Sequence, residues 1–113
     1  MLARMSDSIR WTHQGGGGSA SISVDFDAKT ITWRDEKPRP LQEESLAQLR
    51  ALAEAVEPEH AYLQPSHLTY AQDQMMFITL GEKHVKIDAS SGEICVGPPS
   101  TLLDAMRALL RTP

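Results

Sequence analysis

The side chains able to do acid–base, nucleophilic or metal chemistry are few in this chain and widely spaced. His13, His60, His67 and His84 form neither an HExxH motif nor a His pair at helical spacing, and no CxxC is present. His60 and His67 share one irregular segment and could approach each other, but a zinc site needs at least a third protein ligand, so the plain reading is four surface or loop histidines. Cys95 lies between Ile94 and Val96 in an alternating run. Its side chain therefore takes the face opposite theirs, where a thiol reads as a small packing residue rather than a nucleophile. No GxSxG elbow occurs. Asp25 and Asp27 stand two apart and read as one polar strand face, while Glu43 and Glu44 read as the acidic start of a helix. The chain is expected to be no enzyme and to carry neither metal nor cofactor.

The run Gly15-Gly16-Gly17-Gly18-Ser19 invites a phosphate-binding reading. A P-loop, however, needs a Lys-Ser or Lys-Thr pair and a following helix, and here a strand pattern follows. The run reads as a natural glycine loop at a hairpin tip, or as an engineered flexible linker, whose composition it shares. As a native loop it is either slack or a place where backbone approaches another surface closely, because glycine has no Cβ.

The elements that must position these residues follow from periodicity. Ile9, Trp11 and His13 alternate with Arg10, Thr12 and Gln14, which predicts a half-buried strand over 8–14. Ile22, Val24 and Phe26 alternate with polar residues, Asp27-Ala28-Lys29 turns the chain, and Ile31 and Trp33 resume the pattern, which predicts a hairpin. Arg34 to Pro40 is charged and holds two prolines, as a solvated loop would. Leu46, Leu49, Leu52, Ala53 and Val56 recur at helical spacing and predict a helix over 42–56, stopped by Pro58. Residues 57–74 show no period, with room for one helical turn near His60 to Leu63. Met75 to Leu80, then Val85 and Ile87, predict a second hairpin around Gly81-Glu82-Lys83, and Ile94 with Val96 a further strand. Ser100 or Thr101 is positioned to cap a last helix carrying Leu102, Leu103, Met106, Leu109 and Leu110. The expected fold is α+β, about six mainly antiparallel strands in βββα-βββα order with two helices packed on the sheet. Its core should contain Leu49, Leu52, Val56, Phe77, Ile78, Val85, Ile87, Leu103, Met106 and Leu110.

The 113 residues suit one domain, read as a flexible N-terminus over 1–7 and a single α+β domain over 8–113. Hydrophobic residues make up 41% and charged residues 23%, which argues against an intrinsically disordered protein. Eleven Lys and Arg against fifteen Asp and Glu leave a net charge of -4. Nucleic acid and anionic membrane surfaces, which require a basic face, are therefore not expected partners. No signal-peptide pattern and no run of roughly 20 apolar residues is seen, and the lone cysteine fits a reducing compartment, so a cytoplasmic location is expected.

Four features, taken in order along the chain, carry a family resemblance. A first short strand ends in the glycine loop His13-Gln14-Gly15-Gly16-Gly17-Gly18-Ser19-Ala20, and an amphipathic helix follows, centred on Leu46-Ala47-Gln48-Leu49-Arg50-Ala51-Leu52. A hairpin comes next at Met75-Met76-Phe77-Ile78-Thr79-Leu80-Gly81-Glu82-Lys83-His84-Val85, and a Pro-led helix, Pro98 to Leu110, ends the pattern. This arrangement resembles the emfourin family, small soluble protein inhibitors of thermolysin-like metalloproteases. The family's loop usually reads Ser-Gly-Gly-Phe-Ala-Gly, and the strand at Thr30 to Arg34 is not typical of it. The missing Phe means that the loop is carried over as a location rather than as a mechanism.

The resemblance implies a non-enzymatic protein-binding module, in its specific form an inhibitor of a metalloprotease. Its candidate contact residues are His13, Gln14, Gly15, Gly16, Gly17, Gly18, Ser19 and Ala20. The alternatives are an immunity-type or oligomerising domain that pairs through a strand edge, and a small-ligand-binding protein that uses a cavity between sheet and helices. A structural role for Cys95 predicts that thiol reagents label the folded chain slowly and that Cys95→Ser leaves partner binding unchanged. Rapid labelling at neutral pH with loss of an activity would mark Cys95 as a nucleophile instead.

Overall fold

The fold is that of a computed structural model, which describes residues 7–15, 18–57, 63–65, 73–89 and 93–111. The alternating segments become β1 (Ser8–Gly15), β2 (Gly18–Asp25) and β3 (Thr30–Trp33), followed by the two-residue β4 (Arg39–Pro40) and helix α1 (Glu43–Glu54). The second half holds β5 (Leu63–Pro65), β6 (Asp73–Leu80), β7 (Lys83–Ala89), β8 (Glu93–Cys95) and helix α2 (Pro98–Arg111). Among the described residues, six strands form one sheet in the order β4-β3-β2-β1-β6-β7, and β5 pairs with β8 in a separate ribbon. Every one of these pairings is antiparallel.

β1 lies at the centre, with β2 on one side and β6 on the other. Paired residues of an antiparallel ladder point to the same face, so the registers set whole rows of side chains. One row runs Trp33, Ile22, Trp11, Met76, Ile87, and a second runs Ile31, Val24, Ile9, Ile78, Val85. Both rows belong to the core apart from the half-buried Trp33, and Leu46, Leu49, Ala53 and Val56 of the α1 region and Leu102, Leu103 and Met106 of α2 pack into the same cluster. The two helices thus cover one face of the sheet. The other face carries Arg10, Thr12, Gln14, Ser21, Ser23, Thr32, Thr79 and Lys86, as an antiparallel sheet with one solvated face requires.

Several local expectations are corrected. The apolar run Met75 to Leu80 suggests that neighbours Phe77 and Ile78 share the core, but the strand alternates: Ile78 is buried and Phe77 is 37% exposed on the outer face, with Lys86 Nζ 5.9 Å from its ring centroid. Arg34 to Pro40 is not wholly loop, because Arg39 and Pro40 pair with Ile31 and Thr30. Leu63 is in a strand rather than a helical turn, while His60 lies outside the described residues. Asp27 does not share a strand face with Asp25, since β2 ends at Asp25, whose Oδ1 accepts the backbone N–H groups of Asp27 and Ala28. The last helix starts before Ser100: Pro98 and Pro99 occupy its first turn, where missing N–H groups cost nothing, and Thr101 N–H donates to the carbonyl of Gly97. Gly97 enters this turn at φ +76°, a left-handed conformation that favours glycine.

Helix ends are tied to the sheet by side chains. Lys29 pairs with Glu43 in the first turn of α1. Lys83 Nζ donates to the carbonyl of Glu54 at 2.7 Å, and Arg39 Nη1 to the carbonyl of Leu110 at 2.7 Å, each satisfying a carbonyl near a helix C-terminus.

Asp7 falls in the segment assigned to a flexible terminus, yet it is buried, at 8% exposed. Its Oδ1 accepts the N–H of Gly81 at 2.7 Å, its Oδ2 accepts from Arg50 Nη1 at 3.0 Å, and its carbonyl accepts the N–H of Phe26 at 3.1 Å. Arg50 in turn lies over the Phe26 ring, 4.7 Å from its centroid. One residue thereby ties the start of β1 to the end of β2, the β6–β7 turn and α1.

Two stability predictions follow from these positions. Leu49 is fully buried, so Leu49→Ala should lower unfolding free energy in urea by about 2–5 kcal/mol, against under about 1 kcal/mol for Phe77→Ser. Asp7→Ala should cost about 2–3 kcal/mol, because it strips the charged acceptor from Gly81 N–H and Arg50. A thermal midpoint unchanged by Asp7→Ala would show that the tie carries no stability.

Candidate functional site

The glycine run is the turn region of the β1–β2 hairpin. Gly15 pairs with Gly18, leaving Gly16 and Gly17, which lie outside the described residues, to join the strands. The candidate contact residues do not form one face. His13 and Ala20 pair on the helix-covered side, and Gln14 and Ser19 pair on the outer side. His13 stacks on Trp11, with ring centroids 5.6 Å apart and planes 15° apart, and Trp11 Nε1 donates to Gln74 Oε1 at 3.4 Å. His13 is therefore held as part of the inner surface.

The geometry of β2 adds a feature that the residue pattern does not announce. β3 pairs only with Ile22 to Asp25, so Gly18, Ser19, Ala20 and Ser21 run beyond its register. Ser21 still accepts a hydrogen bond from Arg34 N–H at 2.9 Å. Along an antiparallel strand the backbone groups alternate sides, so Ser19 directs its N–H and C=O the same way as Ser21, past the end of β3. Among the described residues nothing pairs with them there. A groove of about 350 Å³ lies alongside, lined from β1 by Arg10, Thr12, His13 and Gln14, from β2 by Ser19, Ala20 and Ser21, and by Arg34 and Asp35, so it brings together four of the candidate contact residues, His13, Gln14, Ser19 and Ala20.

Among the described residues, the two outermost strands of the six-stranded sheet are protected. β7 carries Lys83, His84, Lys86 and Asp88, and β4 is two residues long with a proline, both devices that discourage strand addition. The β2 overhang bears only glycine, serine and alanine. Arg34 and Asp35, which flank it, were not among the expected site residues. Arg34 takes a left-handed φ of 53° and lies over the Trp33 ring at 5.1 Å. The run of charge from Arg34 to Lys37 was legible, but its position beside the hairpin was not.

Among the described residues no group of three or more His, Cys, Asp or Glu is placed to hold a metal ion. His84 is exposed on β7, paired with Thr79, remote from His13 at the other end of its ladder. His60, His67, Tyr62 and Tyr70 lie outside the described residues, as does the side chain of Cys95, although its backbone pairs with Leu63. Among the described residues no helix is long and apolar enough to cross a membrane. No protein-family model matches the chain, and no curated protein or solved structure is significantly similar to it.

Proposed function

We propose that the chain is a non-enzymatic protein-binding module that receives an extended segment of a partner protein along the Gly18–Ser21 overhang of β2. The observation that carries this reading is the open, uncharged edge of β2 beyond β3, beside a groove and next to a glycine hairpin turn. Strand addition draws affinity from main-chain hydrogen bonds, and Ser19 offers both a donor and an acceptor. Small side chains at Gly18, Ser19 and Ala20 let a second backbone approach to the ladder spacing of about 4.8 Å. Arg34 and Asp35 stand where they can pair with the partner's side chains and set its register.

The specific partner we propose is a thermolysin-like protease, inhibited by main-chain pairing between its substrate-binding strand and this edge, with the hairpin turn entering the cleft. This form rests on the family resemblance of the glycine loop. The same edge also serves the oligomerising alternative, in which a second copy of the chain supplies the strand.

The decisive variant is Ser19→Pro, which deletes the outward N–H at an edge position where proline is tolerated. Circular dichroism and the melting midpoint should match the parent. Peptide cleavage by a thermolysin-like protease should be inhibited by the parent and at least about tenfold less by the variant, the loss expected for a main-chain hydrogen bond with its neighbours. Equal inhibition by both proteins would remove the β2 edge from the mechanism. No inhibition of several such proteases, with the parent monomeric in sedimentation, would remove both the inhibitor and the self-pairing forms.

A further inference from the structure

A second concave feature lies apart from the hairpin edge. It is a groove of about 860 Å³ between the β3–β4 connection and the C-terminal half of α2. Its apolar surface comes from Trp33 and Leu110. Its charge comes from both sides: Arg107 and Arg111 stand one turn apart on α2, and Lys37 and Arg39 come from the β3–β4 connection and β4. Asp35 and Glu36 also line it. Four cationic side chains thus gather in a chain whose net charge is -4.

We propose that this groove binds an organic anion that carries an aromatic ring. Three of the cations have no carboxylate partner among the described residues. Lys37, Arg107 and Arg111 join no ion pair among the described residues, even with two carboxylates lining the same groove. Like charges one helical turn apart repel, and an anion between them relieves that repulsion. Arg107 is also held in place: its guanidinium lies 5.1 Å from the centroid of the buried Trp11 ring, which leaves its donors pre-positioned. Arg39 already donates to the carbonyl of Leu110 and serves to join β4 to α2, closing one wall.

The two carboxylates decide the class of anion. With Asp35 and Glu36 present, charge attraction alone is weak for a bare inorganic ion, so contact with Trp33 and Leu110 has to contribute. The volume falls within the roughly 300–1,000 Å³ of small-molecule sites, which accommodates a ring with one or two anionic groups. Carboxylate and phosphate satisfy the same guanidinium fork, so the shared chemistry is an oxyanion attached to a planar ring.

The chain has two tryptophans, so the test reads two indole N–H resonances, with Trp33→Phe assigning the one in the groove. The probes are ADP, phenyl phosphate and benzoate, with adenosine supplying a ring without charge and pyrophosphate supplying charge without a ring. At least one ring-bearing anion should move the Trp33 resonance saturably, while adenosine and pyrophosphate bind about tenfold or more weakly. Added salt should weaken binding. Lys37→Glu and Arg111→Glu, each checked for an unchanged melting midpoint, should each weaken it about tenfold or more, as loss of a charge-assisted hydrogen bond does. Ser19→Pro should leave it unchanged, so a failure here and a failure of the hairpin edge are told apart. The proposal is overturned if none of the three ring-bearing anions shifts Trp33 saturably, if pyrophosphate binds as well as they do, or if both charge reversals leave the shift intact.

Discussion

β1 shares ladders with β2 and β6 at once, and the period of a strand is two residues. A slip of one position in either ladder would turn Ile9 and Trp11 away from their neighbours and break both core rows. Asp7 guards against that slip. Its carbonyl extends the β1–β2 ladder to Phe26, and its carboxylate reaches Gly81 in the β6–β7 turn and Arg50 on α1. A nearly buried carboxylate is costly to desolvate unless its oxygens are paired, so only the correct juxtaposition of these three elements satisfies it. The residue just before β1 therefore ties both registers to the seat of α1.

From that registration the surfaces of the molecule follow. The inner face is consumed by the helices, leaving an outer face rich in serine and threonine and a set of edges. β7 and β4 are blunted by charge, brevity and proline, whereas β2 outruns β3 because β3 is half its length. The overhang and the cationic groove share Asp35, which lines the small groove beside Ser19 and the large one beside α2. The β3–β4 connection thus separates two recesses of different character: one beside an open backbone edge, and one walled by charge and by Trp33.

The packing of α2 links those recesses to the core. Arg107 covers Trp11, which also contacts His13 and Gln74, so the inner side of the hairpin and the exposed flank of α2 meet around one indole. His13 therefore stacks on Trp11 in the layer that supports the hairpin and also lines the small groove beside it. Gln14 and Ser19, on the opposite side of the same strands, keep access to solvent.

What the sequence determined by itself is the local part: period-2 alternation in β1, β2, β3 and β7, the helical spacing of Leu46, Leu49 and Ala53, the apolar face of α2, and hence the α+β class. These are short-range patterns, written within a few residues of one another. Where the pattern was uniform it misled, as in Met75 to Leu80, because an all-apolar run does not say which neighbour faces inward; the ladder with β1 decided that Phe77 does not. The contacts of Asp7, the β2 overhang and the groove arise from tertiary structure alone. Asp7 meets Gly81 across 74 positions and Arg39 meets Leu110 across 71, and no local periodicity encodes such pairings. The overhang is a difference in length between two paired strands, and the groove is charge brought together from α2 and a loop distant in sequence, so both exist only once the sheet has fixed which segments are neighbours.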